Sequence, residues 1–488
     1  MLIITGQLAA VFGASTLFLA PEYLGQTSFR SMFLLGGAMA VFVMAWHITT
    51  FIINNSRIPY IGAIRFAFIK YCINNSLLPL LFLIFYTIES IRFQVINENA
   101  DVMQILRYQS GFYLGFIVVI LISFAYFFRV GRDLLKVVLS RITNPSLIRN
   151  IIPYDSLDYD VDLIKADSFL TGRLKILKFS DIESYHPRLL NTVLRKHSRN
   201  AITATVFAIL LLLLLGLFSE QPELRVPAAA SFLLLFAVVM GLVGSVKYLL
   251  RSWEMLGWVV FFSIIAFFVK EKIMDLRSIA YGLNYKTENV APPRYNYHAL
   301  KILFNADLYE TDKQKEIHRL EKWKALQDSA NGKPPLIIIS VSGGGARAAF
   351  WTFRALQYAD SISGHKLFNH TVMFTGASGG MIGAAYWRGI HDMYREGNLE
   401  DPYKNDYQQN MAKDLLNSIV FSLASVDMIS PFNKISLAGY SYTKDRGYAM
   451  EQELIRNTEG VLDKKLGDYK QKEADGVIPM SIINGTII

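Results

Sequence analysis

The sequence predicts an all-α multi-pass membrane region followed by an α/β domain, and three observations support this fold class. Hydrophobic residues make up 52% of the chain and charged residues only 18%, which is more apolar than an ordinary soluble domain. The apolar residues are concentrated in long blocks before residue 270. After residue 333, short apolar runs of strand length alternate with glycine turns and helical patterns, which is typical of an α/β sheet.

The length, net charge and cysteine content of the chain limit its domain number, its cross-links and its binding partners. The 488 residues suffice for two or three domains. The single cysteine, Cys72, excludes an intramolecular disulfide and a metal cluster built on cysteines. The acidic run 155–162 lacks the glycine and the closing glutamate of a calcium loop, so we expect no metal. The net charge of +9 comes with no nucleic-acid motif, so we expect basic segments that face anionic lipid rather than a nucleic acid.

Apolar stretches before residue 270 predict transmembrane helices. The six predicted spans are 32–53, 77–91, 112–128, 201–218, 226–246 and 256–269. A seventh span within residues 1–20 stays open, because that stretch is uncharged but only weakly hydrophobic. We therefore expect an integral multi-pass membrane protein, with the bacterial inner membrane as its expected location.

The spans divide the chain into five predicted parts. These are transmembrane helices in 1–128, a polar segment in 129–200, transmembrane helices in 201–270, a linker with a solvated helix in 271–332, and the α/β domain in 333–488. If the short span 256–269 crosses the membrane, the α/β domain faces the side opposite to the polar segment. If that span only lies in the interface, both face the same side, and the sequence leaves this alternative open.

Two strand-to-helix turns carry the chemistry of the α/β domain. The apolar run 336–342 leads into Gly343, Gly344 and Gly345, and the run 371–375 leads into Gly376-Ala377-Ser378-Gly379-Gly380. In a G-x-S-x-G turn, small residues flank a serine whose Oγ is exposed above the sheet. Backbone N–H groups at the start of a helix can stabilise a developing negative charge. The two turns therefore predict Ser378 as a nucleophile beside an oxyanion hole at the triple glycine.

Both turns resemble those of the patatin-like phospholipases. That family combines a G-G-G-x-R oxyanion loop, matched here by Gly343 to Arg347, with a G-x-S-x-G elbow, matched by Gly376 to Gly380. The resemblance covers residues 333–488. It implies a three-layer α/β/α domain and a Ser–Asp dyad that hydrolyses lipid acyl esters. Arg347 is expected to pair with a substrate phosphate or with a carboxylate that fixes the loop.

The base for Ser378 is harder to locate. An ordinary α/β-hydrolase places its histidine after the serine and the acid, but no histidine follows His391. His370 and His391 are expected to lie too far from Ser378 and to be surface or packing residues. The resemblance implies an Asp-Gly motif after a later strand, whereas Asp475-Gly476 precedes the apolar run 477–488. We therefore expect the catalytic aspartate beyond Ile488, with Asp475 as the less favoured candidate.

These patterns favour a membrane-bound acyl hydrolase of phospholipase A or lysophospholipase type that acts on a membrane lipid without a cofactor. The alternative is a non-catalytic lipid-binding or signalling membrane protein with a degenerate hydrolase domain. A transporter fits less well, because Glu89 lies near a span end and the spans contain few other charges. A serine peptidase or an acyltransferase would share the same elbow.

Overall fold

The structure is a computed structural model that describes most of the chain in two compact units. The described residues are 2–7, 14–54, 66–142, 168–171, 173–178, 202–203, 206, 208–210, 212–218, 221–271, 281, 296–303, 306–327, 333–429, 433–437 and 439–484. The first unit combines Met1–Ile279 with Leu416–Ala449, and the second combines Ala280–Leu415 with Met450–Ile488. The predicted domain 333–488 therefore contributes one internal segment to the first unit.

Most of the described backbone is helical. The helices are α1 Ala14–Leu19, α2 Phe29–Asn54, α3 Ala67–Asn74, α4 Leu77–Ile96, α5 Val102–Ile142, α6 Ala228–Leu250, α7 Glu254–Lys270, α8 Tyr297–Leu303, α9 Ala306–Ala325, α10 Gly345–Ile362, α11 Lys366–His370, α12 Ser378–Arg395, α13 Asp406–Ala412, α14 Leu416–Ser422, α15 Arg446–Asn457 and α16 Lys470–Ala474. The strands are β1 Glu22–Tyr23, β2 Gln26–Thr27, β3 Ser168–Leu170, β4 Ile176–Lys178, β5 Ile337–Val341, β6 Thr371–Gly376, β7 Lys434–Leu437, β8 Tyr440–Thr443 and β9 Met480–Ile483.

Four helices of the first unit are long and apolar enough to cross a membrane, which supports the predicted membrane association. They are α2, α4, the Val102–Phe127 part of α5, and α6, and they coincide with four of the six predicted spans. At 17 residues, α7 is shorter than these four. Part of the predicted span 201–218 and part of the stretch 1–20 lie outside the described residues, and so does the acidic run 155–162.

The core of the first unit forms where α2 packs against α5 and α6. Backbones approach closely there: a Cβ added to Gly36 would lie 2.0 Å from the carbonyl oxygen of Phe112. Small residues commonly permit such contacts between membrane helices. The segment that contains α14 also packs in this unit, because Oδ1 of Asn417 accepts a 2.8 Å hydrogen bond from the N–H of Ala228, the first residue of α6.

The second unit contains a parallel sheet in the order β5-β6-β9. Val341 pairs with Gly376, and Gly376 pairs with Ile483, so the carboxyl ends of all three strands meet at one edge. Helices α10 and α12 pack together and bury Phe353 and Trp387 with Phe374 of β6. The structure thus confirms the coarser part of the α/β prediction, because this unit combines helices with a few parallel strands. The described strands do not establish the three-layer arrangement that the resemblance implies.

One helix differs from its prediction. The sequence predicts a solvated helix within a linker, and α9 occupies that position, but one of its faces is buried. Nη1 of Arg319 donates a 3.1 Å hydrogen bond to the carbonyl oxygen of Val372, and Nε1 of Trp323 donates one of 3.1 Å to Asn369. Only 6% of Trp323 is exposed. Arg319 and Trp323 are four residues apart and therefore lie on one side of the helix. Their hydrogen-bond partners Val372 and Asn369 belong to the second unit.

Candidate active site

Ser378 lies at a sharp turn between β6 and α12. It is exposed, and its φ of +57° places a non-glycine residue in the left-handed region. Such a conformation costs about 1–3 kcal/mol and persists where the surrounding structure enforces it. An exposed serine at a strained strand-to-helix turn is the geometry that a nucleophile elbow requires.

Glycines on either side of Ser378 permit backbone contact with the neighbouring strand end. A Cβ added to Gly376 would lie 2.2 Å from the carbonyl oxygen of Val341, and one added to Gly380 would lie 2.3 Å from that of Ser342. Both distances are shorter than any real Cβ contact, so larger side chains would displace the turn. The packing of these backbones enforces the conformation of Ser378.

The triple-glycine turn is next to Ser378. A Cβ added to Gly343 would lie 3.2 Å from Cβ and 3.7 Å from Oγ of Ser378. The following glycines have left-handed backbones, with φ of +140° at Gly344 and +66° at Gly345, where α10 begins. The amino ends of α10 and α12 therefore meet at one edge of the sheet, and helix amino ends carry partial positive charge. An anion that forms near Oγ would lie in this positive field.

Arg347 lies in the first turn of α10 and is exposed. Within the described part of the chain, no carboxylate forms an ion pair with its guanidinium. Its charge opposes the helix dipole, and no protein partner offsets this cost among the described residues. The structure therefore gives no support for a carboxylate that fixes the loop.

The histidines near the elbow in sequence lie away from Ser378. His391 is on α12, thirteen residues after Ser378, about 20 Å along a helix. Its ring stacks on Phe368, and its Nε2 lies 3.3 Å from Oδ2 of Asp360 without hydrogen-bond geometry. Burial lowers the pKa of His391 to about 4, so the ring is neutral at pH 7. It is a packing histidine, as expected, and His370 directly precedes the amino end of β6.

Asp475 also lies away from the nucleophile. It precedes β9, at the amino edge of a sheet whose carboxyl edge carries Ser378. Its Oδ1 accepts a 2.8 Å hydrogen bond from Nζ of Lys322, and its Oδ2 accepts one of 2.7 Å from Gln471. These bonds lower the pKa of its carboxyl group. Among the residues described, none makes a hydrogen bond with Oγ of Ser378, so the base is not identified in this part of the chain.

Asn484 is a site residue that the sequence analysis missed. Its backbone N–H donates a 2.8 Å hydrogen bond to the carbonyl oxygen of Gly376, and its side-chain amide donates to Thr375 Oγ1 at 3.1 Å. The side chain thereby fixes the last residues of β6 before Ser378. The available signal was its position directly after β9, because residues that follow parallel strands meet at one edge.

Comparisons with models of protein families, with curated proteins and with solved structures find no match to this chain. The resemblance to patatin-like phospholipases therefore depends on the two turns and on the geometry that they adopt. It remains a prediction.

Proposed function

We propose that this chain is a membrane-bound serine acyl hydrolase of the patatin-like type that acts on lipid esters. The observation that carries the proposal is the environment of Ser378, which is exposed, strained into the left-handed region and adjacent to Gly343. A serine at an elbow beside a glycine turn at a helix start is the arrangement used for acyl transfer.

In the proposed reaction, Oγ of Ser378 attacks the carbonyl carbon of a lipid ester. The electron pair of the carbonyl bond moves to the oxygen, and backbone N–H groups of Gly343–Gly345 stabilise this oxyanion. The base takes the Oγ proton and passes it to the alcohol oxygen as the C–O bond to the alcohol breaks and the carbonyl re-forms, so that an acyl-serine remains. In the second half-reaction the base takes a proton from a water that attacks the acyl-serine, and this proton returns to Oγ as the fatty acid leaves.

Two features support a lipid as the substrate. The first unit contains four helices that are apolar and long enough to cross a membrane, and a membrane-bound hydrolase would have the lipid esters of the bilayer available as substrates. Arg347, exposed and without an ion pair in the described part of the chain, is suited to bind a phosphate oxygen of a phospholipid. An aspartate is proposed as the base.

Labelling with a fluorophosphonate probe tests the proposal, because the probe reacts with activated serines. Native membranes that contain the wild-type protein should yield an adduct on the peptide that contains Ser378. The Ser378→Ala variant should lose the adduct, and Ser361→Ala, at an exposed serine late in α10, should keep it. Absence of labelling in wild-type native membranes would contradict the proposal.

A lipid-binding protein without catalysis is the second candidate. The observation that favours it is the lack of a hydrogen bond to Oγ of Ser378 from any described histidine or carboxylate. In that case native membranes would give no adduct, and Ser378→Ala would leave lipid binding unchanged.

A further inference from the structure

A cavity of about 460 Å³ opens at the amino edge of the sheet in the second unit. Its lining includes Thr371, the first residue of β6, and Pro479, which directly precedes β9. Ser378 follows the other end of β6. The cavity and the candidate active site therefore share no residue and lie at opposite edges of the same sheet.

The lining of this cavity is strongly basic. Lys333, Lys366 and Arg395 contribute three positive charges, His370 adds an ionisable ring, and none of the aspartates and glutamates among the described residues lines the cavity. Neither lysine forms an ion pair with any described residue, and both are exposed. Asp392 and Asp360 lie near Arg395 and offset part of its charge. The remaining positive charges repel one another, and an anion in the cavity would relieve this repulsion.

Arg395 is fixed in an orientation that suits an oxyanion. Its Nη1 donates to the carbonyl oxygen of Val477, and its Nη2 donates to Oδ1 of Asn369. The guanidinium carbon also lies 4.8 Å from the centre of the Phe368 ring. Two hydrogen bonds and one ring contact thus restrict the side chain. Its other N–H groups have no acceptor among the described residues and can bind an anion at little entropic cost.

We propose that this cavity binds a phosphate group, carried either by inorganic phosphate or by a lipid headgroup. A phosphate offers several oxygens and up to two negative charges to the arginine fork and the two lysines. Trp323, Leu326 and the prolines 334, 335 and 479 provide apolar walls, which suit an organic group attached to the phosphate. The proposal is independent of acyl hydrolysis.

Isothermal titration calorimetry of the 488-residue chain in a nonionic detergent tests this site, at constant ionic strength because salt screens such contacts. One arm titrates inorganic phosphate, and the other titrates dihexanoyl phosphatidic acid below its micelle concentration. The Lys333→Gln/Lys366→Gln variant removes two cavity charges without touching buried residues. Lys404→Gln/Lys470→Gln changes two exposed lysines outside the cavity and serves as the matched control.

We expect one ligand per chain, with affinity reduced at least about tenfold in the cavity variant and unchanged in the control. Binding of inorganic phosphate would identify the phosphate group itself as sufficient. Binding of the phosphatidic acid alone would identify a lipid headgroup. The proposal is overturned if neither compound binds, or if the cavity variant binds as tightly as the wild type.

Discussion

The two edges of the parallel sheet are built in different ways. At the carboxyl edge, backbones pack against each other through glycines, and the exposed Ser378 adopts a left-handed conformation. At the amino edge, side chains from distant parts of the chain converge, among them Trp323 and Arg395. An edge built from backbone can place a reactive atom precisely, whereas an edge built from charged side chains is suited to bind an anion. Four mutations separate these roles.

The largest loss of stability is expected at the amino edge. Trp323 is 6% exposed, and Nε1 donates to the carbonyl oxygen of Asn369. Trp323→Ala should lower the free energy of unfolding by about 3–5 kcal/mol, because it leaves a cavity in the packed face of α9. Chemical unfolding in detergent measures this change. The folded fraction should still react with the fluorophosphonate probe, and loss of both properties together would contradict the separation of the two edges.

At the carboxyl edge, a smaller loss of stability should accompany a complete loss of labelling. Gly380→Ala places a Cβ 2.3 Å from the carbonyl oxygen of Ser342, which should cost about 1–3 kcal/mol and displace Ser378. Gly467→Ala is the matched control, since a Cβ there meets nothing within 4 Å. Folded Gly380→Ala protein that is labelled like the wild type would show that the close contact is not needed.

His391 predicts a pH dependence of stability that does not involve the active site. Burial lowers its pKa from 6.5 to about 4 in the folded chain, where Asp360, Arg395 and His365 are the charged or ionisable groups nearby. Below pH 6.5 the unfolded chain binds a proton that the folded chain does not. The free energy of unfolding should therefore fall as the pH is lowered from 6.5 to about 4, by at most about 1.4 kcal/mol per pH unit.

The variant His391→Gln should remove this slope from unfolding curves measured across that pH range. His318→Gln, at an exposed histidine of α9, should keep it. An unchanged slope in His391→Gln would assign the pH dependence to another group.

The smallest effect is expected at Asp475. The carboxylate is paired with Lys322 at the amino edge, and both side chains are partly exposed, and ion pairs open to solvent contribute little to stability. Asp475→Asn should therefore leave stability and labelling of Ser378 unchanged in native membranes. Loss of labelling would favour Asp475 as the base and would contradict its separation from Ser378 across the sheet.

The sequence predicted the carboxyl edge better than the amino edge, for a physical reason. Tight backbone contacts demand glycine at consecutive positions, so the turns at Gly343 and Gly376 were visible as short motifs, and the strands β5 and β6 were found within one residue of their bounds. The amino edge uses single residues from 323 to 479. Their proximity depends on tertiary packing, so no local pattern marks the cavity. The buried face of α9 was missed because its lysines and glutamates dominate the pattern.

Tertiary packing also decides why residues 416–449 interrupt the second unit. Hydrophobic periodicity predicts helices but not the unit in which they pack, and α14 contacts α6 in the first unit. Within residues 416–449, Nη1 of Arg446 donates a 2.7 Å hydrogen bond to Oδ2 of Asp427.

Release of fatty acid from phospholipid bilayers is the most direct test of the central claim that Ser378 attacks lipid esters. Native membranes with the wild-type protein should release fatty acid, and Ser378→Ala should reduce the rate at least about 10³-fold, because no other group replaces a lost nucleophile. The Ser361→Ala control should match the wild type. Equal release by Ser378→Ala and wild type, or no release by wild type, would contradict the account.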